Sequence, residues 1–450
     1  MKLPLIGQKG TDPYFPVNFF FNPSGFNGKP ALIGTPGSKL WKNTGLGGEV
    51  RGAEEFYGDS YWVTGNKVYK NGSTALTGSL DTSTGNVSIS KSSLHLMIVD
   101  GMSGYYISSS DTSTLTKITD VDFPANPYSC IYTSLRFLVA NGTGFYWGDT
   151  DESAIDWDST NYLSPNGKPN CALGLVEDHN EHFVFGENKT YVYFPDTTLV
   201  FSEYTAGLME YGTAAYNSIA KIDNTIFWLS NDRTVRKVSQ YTPLKVSDFS
   251  MDEEISLYET VSDAKGFAFT FSGHSFYCLI FPSEGVTWLY NIPLDLWCKW
   301  TTRQDMLRHQ ANCYLYYDGK HLVGSYHNGK IYELDSKTYD DDGDIIRSEK
   351  ILPVIIDDEN DQRITINKLT LYFKMGVGLT TGQGSDPKCL VECSYDGCRT
   401  WPSQFWVSMG KIGKYEYGAF RHMLGTHRMV NIKVAVTDPV ERVFYGATIE

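Results

Sequence analysis

Seven times between Phe56 and Leu334, two short runs of aromatic or β-branched residues flank a tight turn. The flanking runs are 61–64 and 67–70 around Gly65-Asn66, 94–99 and 105–107 around Asp100-Gly101, and 136–140 and 145–147 around Asn141-Gly142. They continue with 183–185 and 191–194 around Glu187-Asn188, and 226–229 and 235–238 around Asn231-Asp232. The last two are 276–281 and 286–290 across residues 282–285, and 322–323 and 330–332 around His327-Asn328-Gly329. Asn, Asp and Gly tolerate the positive φ that two-residue hairpins require, so each unit predicts a β-hairpin. Hairpins at a spacing of roughly forty to fifty residues are what propeller blades produce. The expected fold is all-β: a β-propeller of about seven blades, with six or eight left open because strands at the closure are hard to count.

Composition narrows the class. Aromatics make up 14% of the chain and glycines number 42, which suits many short strands joined by tight turns. No apolar run approaches the roughly 20 residues that span a bilayer. The opening Met1-Lys2-Leu3-Pro4 is no signal peptide, so the expectation is a soluble product made in a cytoplasm, without stable membrane insertion. The net charge of −14 argues against a surface that grips nucleic acid, because phosphate binding needs clustered Lys and Arg. It leaves room for a passage through which DNA slides.

Three regions follow from the patterning. Residues 1–48 hold an apolar strand, Phe19-Phe20-Phe21, bracketed by Pro16 and Pro23 and lacking a hairpin partner; they are expected to be an N-terminal arm docking elsewhere. Residues 49–345 are the expected propeller. Within it Ser250-Met251-Asp252-Glu253 has the pattern of a capping box and predicts a helix from Met251 to about Glu259. Residues 346–450 alternate at period two, notably over 364–373, 431–436 and 442–445, and predict an appended C-terminal β-sandwich or jelly roll. From Arg399 onward seven Lys/Arg face four Asp/Glu, a net of about +3, against about −17 for the rest.

Chemistry-bearing patterns are sparse. Tyr339-Asp340-Asp341-Asp342-Gly343 is not a calcium loop, since Ile345 and Ile351 stand where Gly and Glu are needed; a solvated acidic turn is expected. Cys389, Cys393 and Cys398, with His422 and His427 downstream, lack the Cys-x-x-Cys pair of a zinc site, and Cys389 and Cys393, in a strand-like run, are expected to pack as small apolar groups. Ser394-Tyr395-Asp396-Gly397-Cys398-Arg399-Thr400-Trp401 approximates the Asp-box hairpin Ser-x-Asp-x-Gly-x-Thr-Trp, with Cys398 where Gly belongs. Asp396, Gly397 and Trp401 are therefore expected to build a structural turn. No nucleophile elbow, His-Glu-x-x-His or phosphate-cradling loop is present. No catalytic residue, metal ligand or cofactor is assigned.

The order of several motifs resembles one family. These are Pro16-Val17-Asn18 with Thr35-Pro36-Gly37, the run from Gly273-His274-Ser275-Phe276 to Phe281-Pro282 with Trp288 and Trp297 behind it, and Gly329-Lys330-Ile331-Tyr332-Glu333 leading to the acidic turn. The finish adds Ser394-Tyr395-Asp396-Gly397, Arg421-His422-Met423-Leu424-Gly425, Asp438-Pro439-Val440 and Gly446-Ala447-Thr448-Ile449-Glu450. Over nearly its full length the chain resembles the tail hub, or nozzle, proteins of short-tailed bacteriophages, also called packaged-DNA stabilisation proteins. The resemblance implies a structural virion protein, not an enzyme, assembled in the host bacterial cytoplasm. It implies a homo-hexameric ring under the portal and adaptor rings that closes the DNA exit channel after packaging and conducts the genome at ejection. The implied neighbours are the portal-adaptor ring above, a tail needle or plug below, tailspikes or fibres at the flank, and duplex DNA passing without sequence-specific binding. Arg421 and Arg428, in the net-positive terminal segment, are the candidates for inter-subunit or adaptor contact. Two readings from other classes stay open at this point: a propeller glycosidase or depolymerase, and a glycan-binding tail adhesin.

Overall fold

Six of the seven hairpins form the middle pair of a four-stranded antiparallel sheet, and the seventh lies in a larger sheet of six strands. The computed structural model describes residues 1–7, 14–150, 156–302, 305–357, 362–416 and 418–450. The first strands of the sheets are Val50–Phe56, Ser88–Lys91, Ser129–Thr133, Gly174–Asp178, Ala220–Ile222, Lys265–Phe271 and Ala311–Tyr317. They neighbour one another around a ring that closes where Ala311–Tyr317 meets Val50–Phe56. The protein is thus a seven-bladed β-propeller carrying a β-sandwich.

The burial pattern explains why period-two alternation is weak in the propeller. All eight residues of His274–Phe281 are buried, because a middle strand has a neighbouring blade on each face. Ile364–Phe373 in the sandwich covers one core only, and its burial alternates accordingly. Large aromatics fill the spaces between blades: Trp62, Trp228, Trp288, Tyr105 and Tyr277 are all fully buried.

The first 48 residues do not form one arm. Gly37–Asn43 is the outer strand of the seventh blade, paired antiparallel with Lys330–Asp335. An early strand thereby ties the two ends of the propeller together. Lys2–Leu3 and the hairpin Phe19–Phe26/Lys29–Gly34 instead join Val443–Ile449 in one sheet of the sandwich. That sheet continues through Ile364–Phe373 to Ala419–His427, and the second sheet runs Ser348–Ile351, Met429–Val436, Lys388–Ser394, Ser403–Ser408. The apolar Phe19-Phe20-Phe21 therefore finds its partners in the same chain, where Phe19 enters the sandwich core and Phe20 packs on Phe276 of blade six.

Between these two destinations lies Asn18, fully buried at a positive φ. Its amide donates to Thr301 Oγ1 and to the Arg347 carbonyl, each at 2.8 Å, and its Oδ1 accepts from the Thr301 N–H. One side chain thus joins propeller, linker and sandwich.

Two local expectations are corrected. The helix runs Phe249–Ser256, starting two residues early and ending short of Glu259; its N-cap is Asp248 and no side-chain capping bond forms. Helix position is set instead by tertiary contacts, with Met251 and Ile255 buried and Glu254 held by Lys299 at 2.7 Å. The acidic turn is not wholly solvated. Asp341 is buried, accepting hydrogen bonds from Ser38 Oγ at 2.6 Å and Thr302 Oγ1 at 2.9 Å.

Candidate functional site

The propeller axis is the first place to look, because ring folds bind ligands where their inner strands converge. Here the inner strands approach closely at several points. Glycines let the inner strands close in: a Cβ on Gly52 would lie 2.7 Å from Val87, one on Gly174 would meet Ile219 at 2.5 Å, and one on Gly266 would collide with the Ser218 carbonyl. What remains is a cavity of about 190 Å³ lined by Arg51, Asn86, Asn217, Lys265, Asn312 and Tyr314, among others. Its charged groups are already engaged. Arg51 donates to the carbonyls of Gly65, Thr82 and Gly85, and Lys265 pairs with Glu49, which also accepts from Asn312 Nδ2 at 2.8 Å. Among the described residues that line it there is no Asp or Glu, and Glu49 lies behind Lys265 and Asn312.

The second place is the open edge of the sandwich. Among the described residues Ala419–His427 is the last strand of its sheet, paired on one side only with Ile364–Phe373. A register shift between Ile366 and Lys368 interrupts that pairing. Opposite the shift Met423 takes a left-handed backbone with φ 58° and stands 89% exposed. Phe420 is 47% exposed nearby, and Trp406, on the adjoining edge strand of the other sheet, 58%. Long edge strands with exposed apolar side chains are templates for pairing with another chain. Arg421 sits on this strand opposite Leu369, with its guanidinium 5.0 Å from the Phe405 ring. Arg428 lies exposed just beyond the strand's end. The structure thus brings both arginines to one edge, while the exposed Met423 and Trp406 beside them had no sequence signal, because strand order decides which strand is outermost.

The turn at residues 394–401 closes around one carboxylate. Asp396 accepts from Ser394 Oγ, from the N–H groups of Arg399 and Thr400, and from Thr400 Oγ1 at 2.6 Å. Those donors, led by the Thr400 hydroxyl, hold its carboxyl well below the usual range. Gly397 and Cys398 both take positive φ, at 72° and 68°. Trp401 is half-buried and carries the Lys433 ammonium 4.4 Å from its ring.

Cys389 and Cys393 are buried in the sandwich core, where desolvation pushes their thiols up to about 12 and about 11. His427 stacks on Tyr395 with ring centroids 3.7 Å apart. Among the described residues no group of three or more His, Cys, Asp or Glu is arranged to hold a metal ion. No helix among them is long and apolar enough to cross a membrane.

Several solved structures resemble the chain at low identity. The WD40 propeller domain of Doa1 is 11% identical over 66% of this chain and 97% of its own, with a TM-score of 0.43. The N-terminal domain of Nup159 is 9% identical over 66% and 95%, with a TM-score of 0.41. PorZ, a surface component of the type-IX secretion system of Porphyromonas gingivalis, is 11% identical over 83% and 46%, with a TM-score of 0.39. No curated protein matches the sequence. The family model for the bacteriophage P22 Gp10 β-propeller, a phage stabilisation family, matches residues 1–339, which span the Gly37–Asn43 closure strand and all seven blades. The chain belongs to that family of phage structural proteins.

Proposed function

We propose that this chain is the tail hub, or nozzle, of a short-tailed phage: six copies in a ring below the portal-adaptor, closing the DNA exit channel after packaging and conducting the genome at ejection. The observation carrying this reading is the match of residues 1–339 to the phage propeller family, joined to inner strands that pack closely at glycines. The cavity among the inner strands, about 190 Å³, is smaller than the roughly 300 Å³ of small ligand pockets. In this reading any passage for DNA runs between copies, and each propeller serves as a wall. The sandwich edge with Phe420, Arg421, Met423 and Arg428 is the contact surface toward the next copy or the adaptor. In a cyclic ring such contacts are heterologous, so an edge strand facing a different surface of its neighbour is the geometry required. The net positive charge of residues 399–450, set against the acidic remainder, favours that arrangement.

The needle or plug would meet the distal end of the ring and the tailspikes or fibres its flank. The role is structural, with no bond made or broken. The test is a phage carrying a nonsense codon early in this gene. Its packaged heads should lose DNA on storage, and adding the purified protein should stop the loss. Averaged images of intact particles should show sixfold density for this chain on the tail axis; density away from that axis, or heads that keep their DNA without it, would refute the proposal.

A further inference from the structure

A second cavity lies where the propeller meets the sandwich. It measures about 320 Å³ and is walled by the sandwich hairpin at Asn22 and Gly34, the blade-six turn at Ser272, the exit segment at Lys337 and Tyr339, and Arg442. Domain junctions of this size are common ligand sites.

Arg442 is what makes the cavity chemically specific. Its side chain is 2% exposed. One terminal nitrogen donates to the Ile346 carbonyl at 3.3 Å and the other to the Thr35 carbonyl at 3.1 Å. Its Nε–H has no hydrogen-bond partner among the described residues. Among the described residues no carboxylate lies within 4.0 Å of the guanidinium, the separation that defines an ion pair. A buried charge without a counter-ion is costly, and carbonyl dipoles offset only part of that.

The acids nearby make no contact ion pair with the guanidinium. Glu441, on the wall, is held by Lys374 at 2.6 Å. Asp341 is the acid that acts most on Arg442 and, although burial pushes it up to about 6, it stays largely ionised at neutral pH; its oxygens accept from Ser38 and Thr302 and not from the guanidinium. Asp340 also acts on Arg442, less than Asp341 does. On the rim, Lys337 adds an exposed second cation with no ion-pair partner among the described residues. Gly34 matters for access: a Cβ there would sit 2.7 Å from Arg442 Nε.

We infer that this junction is an oxyanion site, in which Arg442 and Lys337 bind the phosphate or carboxylate group of a small ligand between the propeller and the sandwich. A guanidinium N–H beside an ammonium matches the planar or tetrahedral oxygens of such groups. The ligand touches both bodies, so its binding fixes their relative orientation. This inference does not depend on the ring, and it stands or falls by itself.

The experiment uses the full chain at low ionic strength. Equilibrium dialysis with radiolabelled inorganic phosphate and calorimetric titration with succinate distinguish the two sources of oxygen. One of the two should bind at one site per chain. Lys337→Glu should weaken that binding about tenfold, while Lys168→Glu, an exposed lysine remote from the cavity, should leave it unchanged. Gly34→Ala, checked for retained β-structure by circular dichroism, should abolish it. Absence of binding by both probes, or binding that Lys337→Glu and Lys168→Glu affect equally, overturns the site.

Discussion

Cys398 occupies a left-handed backbone position that costs an L-residue about 1 kcal/mol or more. Cys398→Gly should therefore raise the unfolding free energy by up to about 1 kcal/mol in urea, less whatever packing the half-buried side chain contributes. No gain would mean that its side-chain contacts offset the strain. Asp396 works the other way. Its carboxylate collects three donors besides Ser394, so Asp396→Ala should strip hydrogen-exchange protection from the Arg399 and Thr400 amides. Its folded carboxyl lies below the unfolded value, so that contribution is present at neutral pH and fades only in strong acid. Both effects were legible in the motif itself, since an Asp-box pattern is local and every bond it makes lies within five residues. Asp341 and Arg442 were not. Both read as ordinary charged residues on the surface of a chain that is 20% charged, and only the meeting of two bodies buries them.

At the scale of elements, the blades depend on how closely their first strands approach. Gly266→Ala would drive a Cβ into the Ser218 carbonyl, which is backbone and cannot rotate away. A cost above about 2 kcal/mol is expected, measured by urea denaturation, because the strain must spread into two blades at once. A neutral result would mean that the inner strands are not packed as tightly as the fold requires. The seven hairpins were readable because each turn and both its strands are contiguous in sequence. The helix was mispositioned for the opposite reason: Phe249–Ser256 forms where Met251 and Ile255 can be buried, and Ser250 makes no cap. The partners of residues 1–48 were equally hidden, since a strand at residue 40 and its neighbour at residue 332 share no local signal.

For the whole molecule, acid should weaken the fold through two buried imidazoles. Desolvation lowers His309 to about 3 and His182 to about 4. The unfolded chain then binds more protons below about pH 6.5, so stability falls as pH drops. At pH 5 the loss is about 2 kcal/mol for each histidine. Asp341, raised to about 6, opposes this, because the folded state takes up its proton first and gains about 1 kcal/mol between pH 6 and 5. The imidazoles win. Unfolding free energy in urea should be lower at pH 5 than at pH 7, and His182→Phe should flatten the slope while Asp341→Asn steepens it; unchanged slopes in both would remove the assignment. At the level of assembly, Arg421→Glu with Arg428→Glu should lower the hexamer fraction seen by native mass spectrometry without changing the monomer's circular dichroism. An unaltered distribution would take the sandwich edge out of the ring contact.

By itself the sequence determined the class of fold, the number of hairpins and the family, because these rest on turn chemistry and on the order of motifs along the chain. Tertiary structure alone decided which strand closes the propeller, which strand of the sandwich is left as an edge, and which charges are sealed at the junction. Those depend on pairings hundreds of residues apart, and a residue's burial is a property of what packs against it, not of the residues beside it.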